Sequence, residues 1–149
     1  MKIDKSKTIV VTGGAGYIGS HIVLGMLDAG YEVVVVDKDK VACDYLIKRQ
    51  SRRKRLKVYN ADITNDVYMD GIFKNHDVGA VCHCAAYISV PESVDNPLKY
   101  YENNTAKTIN LLHRMKKNNI NVFLFASTAA VYGDPNGEKP ISEKTLCQP

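Results

Sequence analysis

The sequence predicts an α/β protein: a parallel sheet covered by helices on both faces. Three observations predict it. Short apolar runs rich in β-branched residues recur at Thr8–Val11, Glu32–Val36, Leu56–Tyr59, Ala80–Cys84 and Val122–Phe125. Stretches with helical spacing separate them. The runs are nearly continuous in apolar character, which marks strands buried on both faces.

The first run leads into VTGGAGYIGS, with Gly13, Gly14, Gly16 and Gly19 inside seven residues. In the G-x-x-G-x-x-G pattern of Gly13, Gly16 and Gly19, the first glycine permits a tight turn. The second lets the backbone approach a pyrophosphate, and the third lets helix and strand pack closely. The helix that follows, carrying Ile18, Ile22, Leu24, Met26 and Leu27 and ending at Ala29-Gly30, offers unpaired N–H groups and a partial positive charge to phosphates. The expected fold is a Rossmann-type doubly wound parallel sheet of about five strands.

The second strand, VVVV, ends in Asp37, 18 residues after Gly19. A carboxylate there accepts hydrogen bonds from an adenosine ribose and repels a 2′-phosphate, so NAD is expected over NADP. Lys38 and Lys40 soften that preference. After the third strand, Asp62-Ile63 falls where the chain passes the adenine. Asp62 also reads as a helix N-terminal residue or cap before TNDVYMD, whose helix carries Val67, Ile72 and Phe73.

The fourth strand reads AVCHCAA. Period-2 spacing puts Cys82 and Cys84 on one face and His83 on the other. C-x-C on a strand is neither a zinc knuckle nor a redox C-x-x-C, so small residues packing a sheet is the preferred reading and no metal is expected. Ala85-Ala86 lie at the strand's carboxyl end, where ligands bind in open α/β sheets. A long helical stretch, Leu98 to Lys117, carries Ile109, Leu111, Leu112 and Met115. The last strand, NVFLFAS, ends in Ser127-Thr128. A hydroxyl there is either a group where substrate meets a nicotinamide or an exposed turn hydroxyl.

Composition fits one soluble domain: 149 residues, 45% hydrophobic and 24% charged. No apolar run nears the roughly 20 residues of a membrane span, and no export signal or dense cysteine framework is visible. A reducing cytoplasm is expected, with no membrane partner. The net charge of +4 is local. The run KRQSRRKRLK, Lys48–Lys57, holds seven of the 20 basic residues and no acid, leaving 13 against 16 acidic ones elsewhere. It lacks aromatic interleaving and any nucleic-acid motif, so it reads as a solvated helix end running into a strand.

The segments TGGAGYIGSH, ADI at 61–63, HCAA at 83–86, SVPES at 89–93, NPLKYYENN at 96–104 and STAAVYGDP at 127–135 resemble, in order and spacing, the N-terminal half of UDP-glucose 4-epimerases, extended short-chain dehydrogenase/reductases. The resemblance implies tightly held NAD and interconversion of UDP-glucose and UDP-galactose, in galactose metabolism. C4 is oxidised, the 4-keto sugar rotates, and hydride returns to its other face. It also implies that Gly13, Gly16, Tyr17, Ile18, Gly19, Asp37, Asp62, Ile63, Cys84, Ala85, Ala86 and Asn103 bind the cofactor. The same resemblance implies that Ser89 and Val90 line the sugar nucleotide and that Thr128 is the catalytic Ser/Thr that holds the reacting hydroxyl. Three positions depart from the pattern: Cys84 where many members have phenylalanine, Ile88 where some have lysine, and Lys38 in place of a frequent asparagine.

The family's proton acceptor is the tyrosine of a Tyr-x-x-x-Lys pair. None of the nine tyrosines here has lysine four residues on, and Tyr45 comes nearest, with Arg49. By that resemblance the chain is expected to be an incomplete NAD-binding domain over residues 1–149, its sheet truncated after about five strands, without the C-terminal substrate domain and inactive alone. NVFLFAS would then be an uncovered edge that invites self-association. A homodimer through helices of this half is also implied. Ala129-Ala130 stand where dehydratases place Asp-Glu, against elimination chemistry. A decarboxylase and a non-catalytic NAD-binding fragment remain as alternatives.

Overall fold

The computed structural model describes residues 3–50, 54–134 and 140–149. Ser51, Arg52 and Arg53 of the basic run lie outside the described residues, as does Pro135 of STAAVYGDP. The strands are β1 (Thr8–Thr12), β2 (Glu32–Asp37), β3 (Leu56–Asn60), β4 (Val78–His83) and β5 (Phe123–Phe125), all parallel, in the order β3-β2-β1-β4-β5. The fold is the expected Rossmann-type doubly wound sheet. β4 starts two residues and ends one residue before its predicted span, which puts Cys84 beyond the strand, and β5 is one residue shorter than its run.

The β-strand period sorts the core. Val10, Val34, Val36 and Val81 point to one face and pack with Met69, Ile72 and Phe73 of α3 (Asp66–Asn75) and Leu111 and Met115 of α6 (Lys107–Lys117). Their neighbours Ile9, Val11, Val33, Val35, Ala80 and Cys82 point to the other, against Val23 and Leu27 of α1 (Tyr17–Asp28) and Leu46 of α2 (Lys40–Arg49). Cys82 is thus a core residue, as its small-residue reading expects.

Strand order reverses between β1 and β4, because the chain winds outward through β2 and β3 and then crosses back to the far side of β1. Their carboxyl ends therefore diverge into a crevice, the usual ligand position in such sheets. Helix α1 closes at Ala29-Gly30, where Gly30 N–H reaches Leu27 O and Tyr31 N–H reaches Met26 O. The basic run begins in the last turn of α2 with Lys48 and Arg49 and ends in β3.

The stretch predicted as one helix has three parts: α5 (Pro97–Tyr100), a wide π-helical turn (Tyr101–Ala106), and α6. Before it stands α4 (Val90–Asp95), capped by Ser89. Helix α3 starts later than expected. Its cap is Asn65, which accepts from Tyr68 N–H, while Asp62 caps the preceding turn through Thr64. Two Asx residues compete for the same role, and the one nearer the first apolar turn takes it. Among the described residues, no helix is long and apolar enough to cross a membrane.

Candidate functional site at the carboxyl ends of β1 and β4

The crevice is built around the glycine turn. Gly13 has φ +67°, and a Cβ there would lie 2.6 Å from Ala85 N and 2.7 Å from Cys84 C. No other residue lets the turn sit so close to the chain leaving β4. A Cβ on Gly19 would lie 2.1 Å from Gly13 O and 2.8 Å from Gly14 Cα. The third glycine therefore packs α1 onto the turn itself, not onto a strand as predicted. Gly16 differs: its Cβ would meet only Gly13 O, at 3.3 Å, and its open side lines the groove. Gly16 is also the N-cap of α1, with no side chain capping the helix. The N–H groups of the first turn are left for a ligand.

On the β2 side, Asp37 ends its strand with both carboxylate oxygens engaged, one accepting from Ala15 N–H and the other from Asp39 N–H, each at 3.0 Å. This fixes the carboxylate at the rim of a cleft also lined by Gly13, Gly16, Lys38, Asp62, Ile63, Cys84, Ala85, Ala86, Asn103 and Lys107. At its far end Lys107 Nζ donates to Asp62 Oδ2 at 2.8 Å, while Asp62 Oδ1 accepts from Thr64 N–H and Oγ1–H. Burial pushes the Asp62 carboxyl upward, but these bonds outweigh it and hold it below the usual carboxylate range.

On the β4 side lies a second cleft, lined by Ile18, His83, the chain from Cys84 to Val90, Ser93, Tyr100, Asn104 and the chain from Phe125 to Thr128. The clefts, of about 230 and 370 Å³, share Cys84, Ala85 and Ala86. They are two ends of one groove across the glycine turn, together within the size range of ligand sites.

A buried hydrogen-bond chain fixes this wall. Thr108 Oγ1–H donates to Asn104 O at 2.7 Å, so its oxygen accepts from His83 Nε2–H at 2.9 Å. His83 Nδ1 then accepts from Thr12 Oγ1–H at 2.6 Å. His83 is accordingly the neutral Nε2–H tautomer, and burial lowers its pKa. Asn104 grips the loop after β4 with both ends of its amide, accepting from Tyr87 N–H and donating to Tyr87 O. The Lys38 ammonium donates to Tyr87 Oη at 2.6 Å and holds that phenol below its ordinary pKa. The thiols of Cys82 and Cys84 lie 3.9 Å apart. Their hydrogen bond, with burial, raises Cys82, and the same bond lowers Cys84.

This groove and sheet order are shared with known proteins. The NAD dependent epimerase/dehydratase family matches residues 9–149. The chain belongs to this family. It is 43% identical over 142 residues to a UDP-glucose 4-epimerase of Schizosaccharomyces pombe, covering 91% of this chain and 40% of that protein. Among solved structures, the UDP-glucose 4-epimerase of Bifidobacterium longum, in complex with NAD+ and UDP, superposes with TM-score 0.82 at 37% identity. That match covers 95% of this chain and 42% of that one. The UDP-Glc/GlcNAc 4-epimerase of Campylobacter jejuni gives 0.82 at 36% identity, covering 96% and 43%. The chain thus spans about 40% of the length of these epimerases.

The fold brings together most residues singled out in the sequence. Gly13, Gly16, Asp37, Asp62, Ile63, Cys84, Ala85, Ala86 and Asn103 share the first cleft. Ile18, Ser89, Val90 and Thr128 share the second. Tyr17 and Gly19 line neither: Tyr17 is 85% exposed with its ring edge on His21, and Gly19 is buried under the turn. Thr128 Oγ1 accepts from Ala130 N–H at 3.2 Å, which leaves its proton free at the second cleft. Sequence reasoning missed Lys107, Asn104, Thr108 and Tyr87. Spacing of four, seven and three residues before Leu111, which continues the apolar face of α6 toward its N-terminus, was the available signal for the first three; Tyr87 had none.

Proposed function

We propose that this chain is the dinucleotide-binding half of a cytoplasmic UDP-sugar 4-epimerase that interconverts UDP-glucose and UDP-galactose. The observation that carries the reading is the continuous groove from Asp37 to Thr128, bent over an uncapped helix end in a chain of this family. The residues present fit NAD. Asp37 would hold the adenosine ribose, the turn at Gly13–Gly16 and the N–H groups of α1 the diphosphate, and Ala85-Ala86 leave space where the groove passes β4. When bound, NAD supplies a hydride acceptor and donor.

The chain's own residues orient the sugar. Thr128 Oγ1–H donates toward the reacting oxygen, and Ser89 and Val90 flank the sugar nucleotide. The tripeptide after Thr128 begins Ala129-Ala130, which moves no protons and disfavours elimination. Without a Tyr-x-x-x-Lys pair these 149 residues lack the family's proton acceptor, so the chain by itself is expected not to epimerise. Val94, Leu98, Tyr101 and Ile109, all exposed along α4 to α6, support a homodimer through those helices.

Two measurements test the reading. The chain is titrated with NAD, and the full-length protein is assayed for UDP-glucose formation from UDP-galactose. Thr128→Val should lower kcat at least tenfold, about 1.4 kcal/mol of activation free energy. Absence of both NAD binding and interconversion overturns it.

A further inference from the structure

We propose that Lys107 is a positioning residue of the dinucleotide site, acting through Asp62 to present a fixed, charged hydrogen-bond acceptor to the 6-amino group of the ligand's adenine. The inference rests on the NAD reading above and deepens it at the adenine end.

Asp62 would be a poor acceptor if left to itself. It stands on the turn after β3, about two-thirds buried, where its carboxyl could rotate or pick up a proton. Three bonds prevent that. Thr64 takes Oδ1 twice, through its backbone N–H at 2.9 Å and its hydroxyl at 2.8 Å, and Lys107 takes Oδ2 at 2.8 Å. With Oδ1 occupied on the turn side and Oδ2 tied to α6, the carboxylate plane is set from two elements. The remaining lone pair of Oδ2 belongs to the side chain that lines the cleft beside Ile63 and Asn103. A carboxylate oxygen accepts more than one hydrogen bond. The Lys107 bond therefore fixes this acceptor without exhausting it.

Lys107 is itself well placed for this. Its side chain is 22% exposed, on the first turn of α6, immediately after the π-helical turn. Thr108 beside it is anchored to His83, so the helix is held against the sheet while the ammonium reaches across to the turn after β3. The other charged residues lining this cleft are Asp37, Lys38 and Asp39. Asp37 and Asp39 accept from backbone N–H groups on their own side, and Lys38 turns toward Tyr87. Lys107 is the cation that Asp62 uses.

The ligand chemistry follows from the acceptor. A fixed carboxylate favours a purine with an N–H donor at position 6 and repels one with a carbonyl oxygen there. The test compares NAD with its 6-oxo analogue, in which oxygen replaces the adenine amino group. Titrations use the wild-type chain and Lys107→Met, Lys107→Gln and Lys107→Arg, each with a thermal melt. The wild type is expected to bind NAD at least tenfold tighter than the analogue. The Met and Gln variants should lose at least fivefold in NAD affinity and bring the two ligands within about threefold of each other, because a loosened Asp62 can turn away or protonate and donate to the oxo group. Lys107→Arg should retain most of the discrimination. If Lys107 only ties α6 to the loop, both ligands weaken together, the ratio stays and the melting point falls; that result overturns the proposal. If the wild type binds neither dinucleotide, the NAD reading fails and this inference with it. If the Met variant does not fold, the ratio in the Gln variant decides.

Discussion

Gly16 and Gly19 sit three residues apart on the same turn, and alanine should separate what each does. At Gly19 the new Cβ would stand 2.1 Å from Gly13 O and under 3 Å from Gly14 Cα and Gly13 C, all backbone atoms. Ordinary contact begins near 3.4 Å, so the turn or α1 must move by more than about 1 Å. Overpacking of that kind costs about 3 kcal/mol, the upper end of its usual range. For a chain of this size it lowers the melting point by roughly 6–12 °C. At Gly16 the Cβ meets only Gly13 O at 3.3 Å, and φ −70°, ψ 176° suits alanine. Losing glycine at an N-cap costs up to about 1 kcal/mol. Restricting the unfolded chain returns about 0.4–1 kcal/mol. Stability should hardly change, with a melting point within about 2 °C of wild type. Yet the methyl group would project where the diphosphate must approach, and NAD affinity should fall at least tenfold, about 1.4 kcal/mol. The assay pairs a thermal melt with an NAD titration for each variant. Gly16→Ala binding NAD like wild type, or Gly19→Ala melting like wild type, refutes the division of labour.

Three other outcomes are expected. Burial lowers His83's pKa from 6.5, so the unfolded chain binds the extra proton first. Its contribution is complete above about pH 6.5 and is lost as pH falls toward the folded pKa, by up to about 1.4 kcal/mol per unit; urea midpoints between pH 7.5 and 5 should show this slope, and His83→Gln should flatten it. The carboxylate of Asp37 should favour NAD over NADP at least tenfold, with Asp37→Asn narrowing the gap; equal wild-type affinities in a fluorescence titration refute that role. β5 is an edge strand with Leu124 and Phe125 more than half exposed, so the chain should self-associate at about tens of micromolar, and a sharp monomeric profile in size-exclusion chromatography would count against it.

How much of this was legible in the sequence depended on whether one short pattern carried the information. Valine-rich runs mark buried parallel strands because both faces must be apolar, and so all five strands were visible. The glycine turn and Asp37 were visible because steric exclusion and strand-end position each leave a local trace. The far side of the groove was not. Tyr87 is held in the wall of the groove by Asn104, 17 residues away, which grips its backbone, and by Lys38, which reaches its hydroxyl. Asp62 was legible as an adenine-side residue and as a cap, but its pairing with Lys107, 45 residues away, leaves no local trace. Contacts of that range have no spacing rule. The end of helix α2 was legible in the basic run, but its start was passed over, although Asp39, accepting from Ala42 N–H, is an ordinary start signal for it.

The wide turn at Tyr101–Ala106 makes two helical halves answer to different masters. Leu111 and Met115 set the rotation of the second half by fitting the core, whereas Asn103 and Asn104 set that of the first by facing the groove. Each residue of an α-helix turns the chain by about 100°. Deleting one exposed residue, Thr105 or Ala106, would let a plain α-helix run through. With the core half held, Asn103 and Asn104 would swing by roughly 40–60°, because each residue left in the turn would take about 100° in place of the roughly 85° of a wide turn. The sheet would lose nothing, and the loop gripped at Tyr87 would lose its hold. A position that looks expendable by its exposure is thus a phase adjuster, and length at this turn matters more than the identity of the residues that fill it.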